Sequence, residues 1–249
     1  MVQDFPVASL EELLGSESPN ENERARSIRD KRRNGLYASE QTVAAMCSGD
    51  IHYVLRLVQR MVEDFGGIEK LGATDTVPRI PGEMQHSSIR TAAGEFIQQV
   101  RDLPRNGERL AAIVDSFGAV AHSHLMFRNS KNEGGNPPHQ ASRIEPYEAP
   151  SLSQDNKAIL VELLRYSIFL EDPRGRSRRG NVVPRYYLRR YLIPHFWLSF
   201  SRRDSLELES EELEQLLSSP AAFERTKRLR DEYIEDPTID MFRQGSDES

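Results

Sequence analysis

A single cysteine, Cys47, among 249 residues leaves no intrachain disulfide and no zinc site built on paired cysteines, which fits a reducing cytoplasm. No apolar run approaches the ~18 residues that a membrane-spanning helix needs, so no membrane is expected as a partner. The stretch after Met1 carries Asp4, Glu11 and Glu12 and no apolar core, unlike a secretory leader. The pattern GxxxxGK[ST] is missing, and with it the backbone cradle and lysine that grip a triphosphate. No strand ends in paired acids that could hold magnesium. No His-Glu-x-x-His occurs. His122 and His124 stand two apart and so point to different faces of a helix, where a polar surface or a satisfied core role is expected. Cys47 has no neighbour that marks a nucleophile and is expected as a small buried apolar residue. The expectation is a chain that is no enzyme by itself, with no catalytic residue, metal or cofactor of its own.

What is present is polar but foldable. Hydrophobic residues make up 37% and charged residues 29%, enough core formers for one large or two small domains. The net charge of −6 conceals a segregation. Residues 173–203 hold nine arginines and no acid, whereas residues 204–249 hold 14 acids against 5 basic residues. A solvated surface normally mixes its signs, so a block this long needs a reason.

Periodicity and punctuation predict a mostly helical α+β chain. Residues 1–17 read as a lead-in, 18–70 as a small helical subdomain, 71–85 as a linker, 86–235 as a second domain and 236–249 as a disordered tail. Asn20 and Glu23 have capping-box spacing for a helix reaching Arg33. Its basic residues, Arg24 to Arg33, alternate with acids and read as a solvated face. Ser39 caps a short helix that breaks at Ser48-Gly49. Asp50 caps a longer one, with Ile51, Val54, Leu55, Val58 and Val62 as its apolar face and Gly66-Gly67 as its stop. Ile89, Ala93, Phe96 and Val100 mark the next helix. Leu110, Ile113, Val114, Phe117, Ala121 and Leu125 mark another, the clearest stripe in the chain. Residues 128–150 read as a long polar loop. Ser153 caps a third helix of this domain. The alternation from Tyr166 to Leu170 predicts a strand, with Val182 and Val183 as its return partner, ended by Pro184. Two acidic helices follow, near 210–218 and 220–234, the second with Pro220 at its first position.

Three helices followed by a hairpin with a basic tip is the order of a winged-helix DNA-binding domain. Arg174, Arg176, Arg178 and Arg179 on the turn, with Lys131 and Arg185, are the candidate nucleic-acid-binding residues, and double-stranded DNA is the expected partner. Arginines there reach phosphates, release condensed counterions and can fork onto guanine edges. Two other partners suit the same charges: the acidic residues after Asp204, or an acidic protein surface.

The run Cys47-Ser48-Gly49-Asp50-Ile51-His52-Tyr53-Val54-Leu55-Arg56-Leu57 resembles the lid of AAA+ ATPases of the origin-recognition and cell-division-control initiator type. In that family the residue two after the Asp is usually the sensor-2 arginine, which touches the nucleotide's terminal phosphate. Here that position is His52, with Arg56 one turn later. The resemblance thus implies nucleotide sensing near Asp50, His52 and Arg56, and leaves open whether His52, Arg56 or neither meets the phosphate. Residues 131–147 and the run Arg165–Gly180 are similar to the C-terminal part of large bacterial ATPases with an initiator-like core; the similar stretch covers roughly residues 17 to 225. The resemblance implies a lid plus a C-terminal winged-helix region whose P-loop core is missing, as in a truncated gene, a split subunit or a cut piece. ATP and magnesium would then enter only with an ATPase core joined in cis or in trans. The competing expectation is a protein-interaction module that regulates a partner ATPase or effector, as in bacterial defence systems.

Overall fold

Ser39 and Asp50 start the first two helices among the described residues, each by offering an oxygen to a backbone N–H that lacks a helical partner. The side chain of Ser39 lies 3.5 Å from the Thr42 nitrogen, ahead of helix α1 (Glu40–Cys47). The Asp50 carboxylate accepts from the Tyr53 nitrogen at 3.2 Å, ahead of α2 (Ile51–Phe65). Gly66 ends α2 at φ +114, a left-handed conformation natural to glycine, and its N–H returns to the Val62 and Glu63 carbonyls. The computed structural model describes residues 37–47, 50–71, 79–130, 142–172, 174–178, 181–198 and 205–235, with backbone alone for 71, 125–130, 176, 178, 181 and 229–235. The helix expected over 20–33 with its basic run, and the tail expected over 236–249, lie outside these residues. Among the described residues no helix is long and apolar enough to cross a membrane.

The remaining elements are α3 (Gly67–Leu71), α4 (Gly82–Arg101), α5 (Gly107–Ser130), β1 (Arg143–Pro146), α6 (Gln154–Arg165), β2 (Phe169–Glu171), β3 (Arg176–Arg178), β4 (Asn181–Val183), β5 (Tyr186–Leu188), a 3-10 segment (Arg190–Phe196), β6 (Leu206–Leu208), α7 (Ser210–Ser218) and α8 (Pro220–Glu235). The mostly helical α+β class is therefore as expected. The contacts divide the chain into two units. The first holds α1, α2, α3, α4 as far as Phe96, and the Arg190–His195 segment. The second holds what is described from Ile97 onward apart from that segment.

In the first unit, α2 buries Tyr53, Leu57, Met61 and Phe65, not the face read from the sequence. Ile51 and Leu55 are 75% and 64% exposed. The helix carries two adjacent apolar ridges, and the one with the larger side chains is buried because it removes more area from water. Tyr53 stacks on Tyr191 of the 3-10 segment (4.3 Å between centroids), and Phe96 meets the same ring edge-on. Arg190 donates to the Ala45 carbonyl at 2.9 Å. The stretch read as a linker to residue 85 is ordered at its end. Ile80 is fully buried, α4 begins at Gly82, and Gln85 is buried while bonding both the Ser39 nitrogen and the Ile80 carbonyl. Gly and Pro here mark a helix start: the Pro81 carbonyl accepts the first helical bond, from Gln85.

His86 holds the entry to this unit. Its Nδ1 accepts the Tyr37 N–H at 3.3 Å, and the two rings stack. Burial, and then the charge on Arg90, lower its pKa below the usual 6.5. The unfolded chain thus takes up this proton at a higher pH than the folded chain does. The stabilisation is whole above pH ~6.5 and is lost as pH falls through that value. The thermal midpoint should therefore fall more between pH 7.5 and 5 for the wild type than for His86→Gln; equal declines would remove His86 as a cause.

In the second unit α5 is the central helix, with Leu110, Ala111, Ile113, Val114, Phe117, Val120 and Ala121 all buried. α8 packs along it through the fully buried Phe223, and α7 packs against α5, α6 and α8. Arg109 ties these helices together by donating to Leu217 O (2.9 Å), Asp155 (2.7 Å) and Asn156 (2.5 Å). Ser153 caps α6 as expected. Four strands form one sheet in the order β2-β5-β1-β6, antiparallel except for the parallel β1–β6 pair. Two of its strands were not legible: β1 lies inside the stretch read as a loop, and β6 lies just after the arginine block. The pairing also differs from expectation. Tyr166 ends α6 and Ser167 takes φ +54, so the strand starts only at Phe169. Its partner is Tyr186–Leu188, not Val182-Val183.

Candidate nucleic-acid interface

Between β2 and β5 the chain leaves the main sheet and forms a hairpin of its own. β3 pairs antiparallel with β4, with Arg176 opposite Val183, Ser177 opposite Val182 and Arg178 opposite Asn181. Asp172 closes the base. Its N–H donates to Arg185 O (2.9 Å), its carbonyl accepts from Gly175 (3.0 Å), and its carboxylate accepts from the Arg174 N–H (3.0 Å). This is an aspartate turn of the kind that directs a chain out of a strand. Gly175 sits at φ +56, where a Cβ would lie 2.6 Å from Val182 Cγ1 and 2.7 Å from the Val183 carbonyl oxygen. A glycine is needed here because the hairpin's own return strand comes this close. Val183 is buried and Val182 is 67% exposed.

Arg174 is exposed at the base of this hairpin. Arg176 and Arg178 begin and end β3. Arg179 and Lys131 lie outside the described residues. Arg185 departs from the expected role. Its guanidinium lies 3.5 Å from Glu145 and 3.7 Å from Asp172, within a network under the hairpin base. Glu145 of β1 is completely buried, and a buried carboxylate is tolerable only with opposite charges beside it. Arg143 is the second such charge, 3.3 Å from Glu145. Arg143 also donates to the Tyr187 hydroxyl (3.2 Å), which in turn lies 3.5 Å from the Asp172 carboxylate. Arg143, Glu145, Asp172 and Tyr187 were missed by sequence reasoning, because β1 is short, sits in polar surroundings and shows no alternation.

The residues implicated in nucleotide sensing lie in the first unit. Asp50 is the α2 cap, and His52 and Arg56 are exposed one turn apart on the helix it opens. Arg60, the next residue on that face, pairs with Asp64 (3.1 Å) and Glu95 (2.5 Å). Asp50→Ala should cost about 1 kcal/mol of stability through the lost cap, read as a lower urea midpoint at unchanged m-value. An unchanged midpoint would mean that the cap contributes nothing. Cys47 is buried as expected, and burial, then the Asp50 charge, push its thiol up to about 11. His122 and His124 are half-buried on α5. Among the described residues no group of three or more His, Cys, Asp or Glu gathers that could hold a metal.

A family model described as ORC-CDC6-like matches residues 17–208, which takes in α1 to α6, the hairpin and the whole sheet. The chain belongs to the ORC-CDC6-like family. No curated protein and no solved structure matches it. Membership in the ORC-CDC6-like family makes the chain a relative of initiator-type AAA+ proteins, as the Ser-Gly-Asp-Ile step and the arginine run implied. The matched stretch includes both the Asp50–Arg56 segment and the arginine hairpin, and it stops at the last strand, before the acidic helices α7 and α8.

Proposed function

We propose that the chain is the nucleic-acid-docking and regulatory region of an initiator-like AAA+ machine, without ATPase activity of its own. The observation that carries this reading is the separate β3–β4 hairpin, in a stretch of sequence where Arg174, Arg176, Arg178 and Arg179 fall within six residues and no acid intervenes. In this reading the second unit acts as a winged-helix-like domain and the hairpin is its wing, laid against duplex phosphates. The first unit acts as the lid, and residues near Asp50, His52 and Arg56 respond to nucleotide held by a core supplied in cis or in trans. Arg185 leaves the set of phosphate-holding residues.

The chain as a whole is acidic, so a polyanion is held by local charge against the net field. The test is an anisotropy titration of a fluorescent duplex at two salt concentrations. A log–log salt slope near −3 to −4 is expected if four phosphates are neutralised. Binding that ignores salt, or no binding at all, would hand the hairpin to an acidic protein partner instead.

A further inference from the structure

We infer that Glu145 and Asp172 are positioning residues that aim the arginine hairpin through the ionic network beneath it; this rests on the hairpin being the docking element. A two-stranded ladder of three residues per strand is marginal alone, so its direction must be set by what holds its base. Both chain ends of the hairpin are tied at that base. On the entering side, Asp172 holds the Arg174 and Gly175 amides. On the leaving side, Arg185 holds the Asp172 amide through its carbonyl, and its guanidinium faces both the Asp172 and the Glu145 carboxylates. Glu145 is fixed in the middle of the main sheet, where β1 runs between β5 and β6. Tyr187 and Arg143 extend the connection, joining Asp172 to Glu145 by a second route. Two acids, two arginines and a tyrosine thus fasten the short hairpin to the main sheet. Packing alone does not require a buried carboxylate at position 145, since an apolar residue of similar volume is usually tolerated at least as well.

The sign of one effect separates positioning from simple electrostatics. Asp172→Ala removes a negative charge beside a proposed polyanion site, which by charge alone should tighten binding. Positioning predicts the opposite, a loss of about tenfold in duplex affinity, recovered in part by Asp172→Glu. A second readout does not depend on nucleic acid. In the full chain, Glu145→Gln touches no amide of the hairpin, yet it should speed hydrogen exchange of the β3–β4 amides at least about tenfold while leaving those around Phe117 unchanged. Tighter binding by Asp172→Ala, or hairpin exchange at the wild-type rate in both variants, would overturn the inference. If Glu145→Gln does not fold, Asp172→Ala decides alone, through exchange at Ser177 and Val182, which it does not contact. If the wild type holds no duplex, the docking reading fails by itself, and the exchange rates still decide whether the network sets the hairpin.

Discussion

Replacing Arg174, Arg176, Arg178 and Arg179 together by alanine should lower duplex affinity by roughly a hundredfold or more near 0.15 M salt. It should also flatten the log–log salt slope by about 3 to 4. The size follows from the charge balance. The chain starts at −6, and the variant stands at −10, so its general field then repels a polyanion with the hairpin's own positive charge gone. A variant with four lysines is the control. It keeps the charges and loses only the planar fork of arginine, so it should retain the salt slope and most of the affinity if phosphates are the target. A larger loss in the lysine variant would point to base edges, which arginine reads in a bidentate way. Circular dichroism and the thermal midpoint should stay near wild type, since surface substitutions rarely move stability by more than about 0.5 kcal/mol. Unchanged affinity and slope in the alanine variant would rule out the hairpin as the docking element.

How much of this was legible in the sequence depends on how local the cause is. The caps at Ser39, Asp50 and Ser153 and the glycine stop at Gly66 were readable because each acts within four residues of itself. The central helix was readable because Leu110, Ile113, Val114, Phe117 and Ala121 repeat at helical spacing. The buried face of α2 was not, because two apolar ridges compete there and only the tertiary partner, Tyr191 some 140 residues away, selects the ridge of Tyr53. Strands of three or four residues are too short to show a period, so β1 and β6 passed as loop. The same blindness hid the site's support. The arginines announced themselves as a block, but Glu145 acquires meaning only when β1 is placed beside β5 and Arg185 turns back onto it. Without that pairing Arg185 looked like one more basic residue of the block.

Phe117→Ala should be the most damaging single substitution considered for the second unit, costing about 3 to 5 kcal/mol. The ring has no solvent exposure, and it meets Phe169 edge-on at 5.3 Å between centroids. Truncation removes the transfer energy of the ring, leaves a cavity that the central helix cannot close, and loses a favourable aromatic pair. Leu55→Ala on the exposed ridge of α2 should stay within about 0.5 kcal/mol, although by sequence pattern the two positions look alike. Urea unfolding of both variants measures the contrast, and a loss below about 1 kcal/mol for Phe117→Ala would mean that α5 does not pack on β2. The consequence reaches the hairpin. Phe169 opens β2, and three residues later Asp172 begins the turn that holds Arg174 and Gly175. The strand that α5 steadies is therefore the strand from which the hairpin departs. A smaller change, Phe117→Leu, should keep the fold while loosening β2, and its duplex affinity should fall together with rising exchange at β3 and β4. Weaker binding without faster exchange would separate the core from the aim of the arginines.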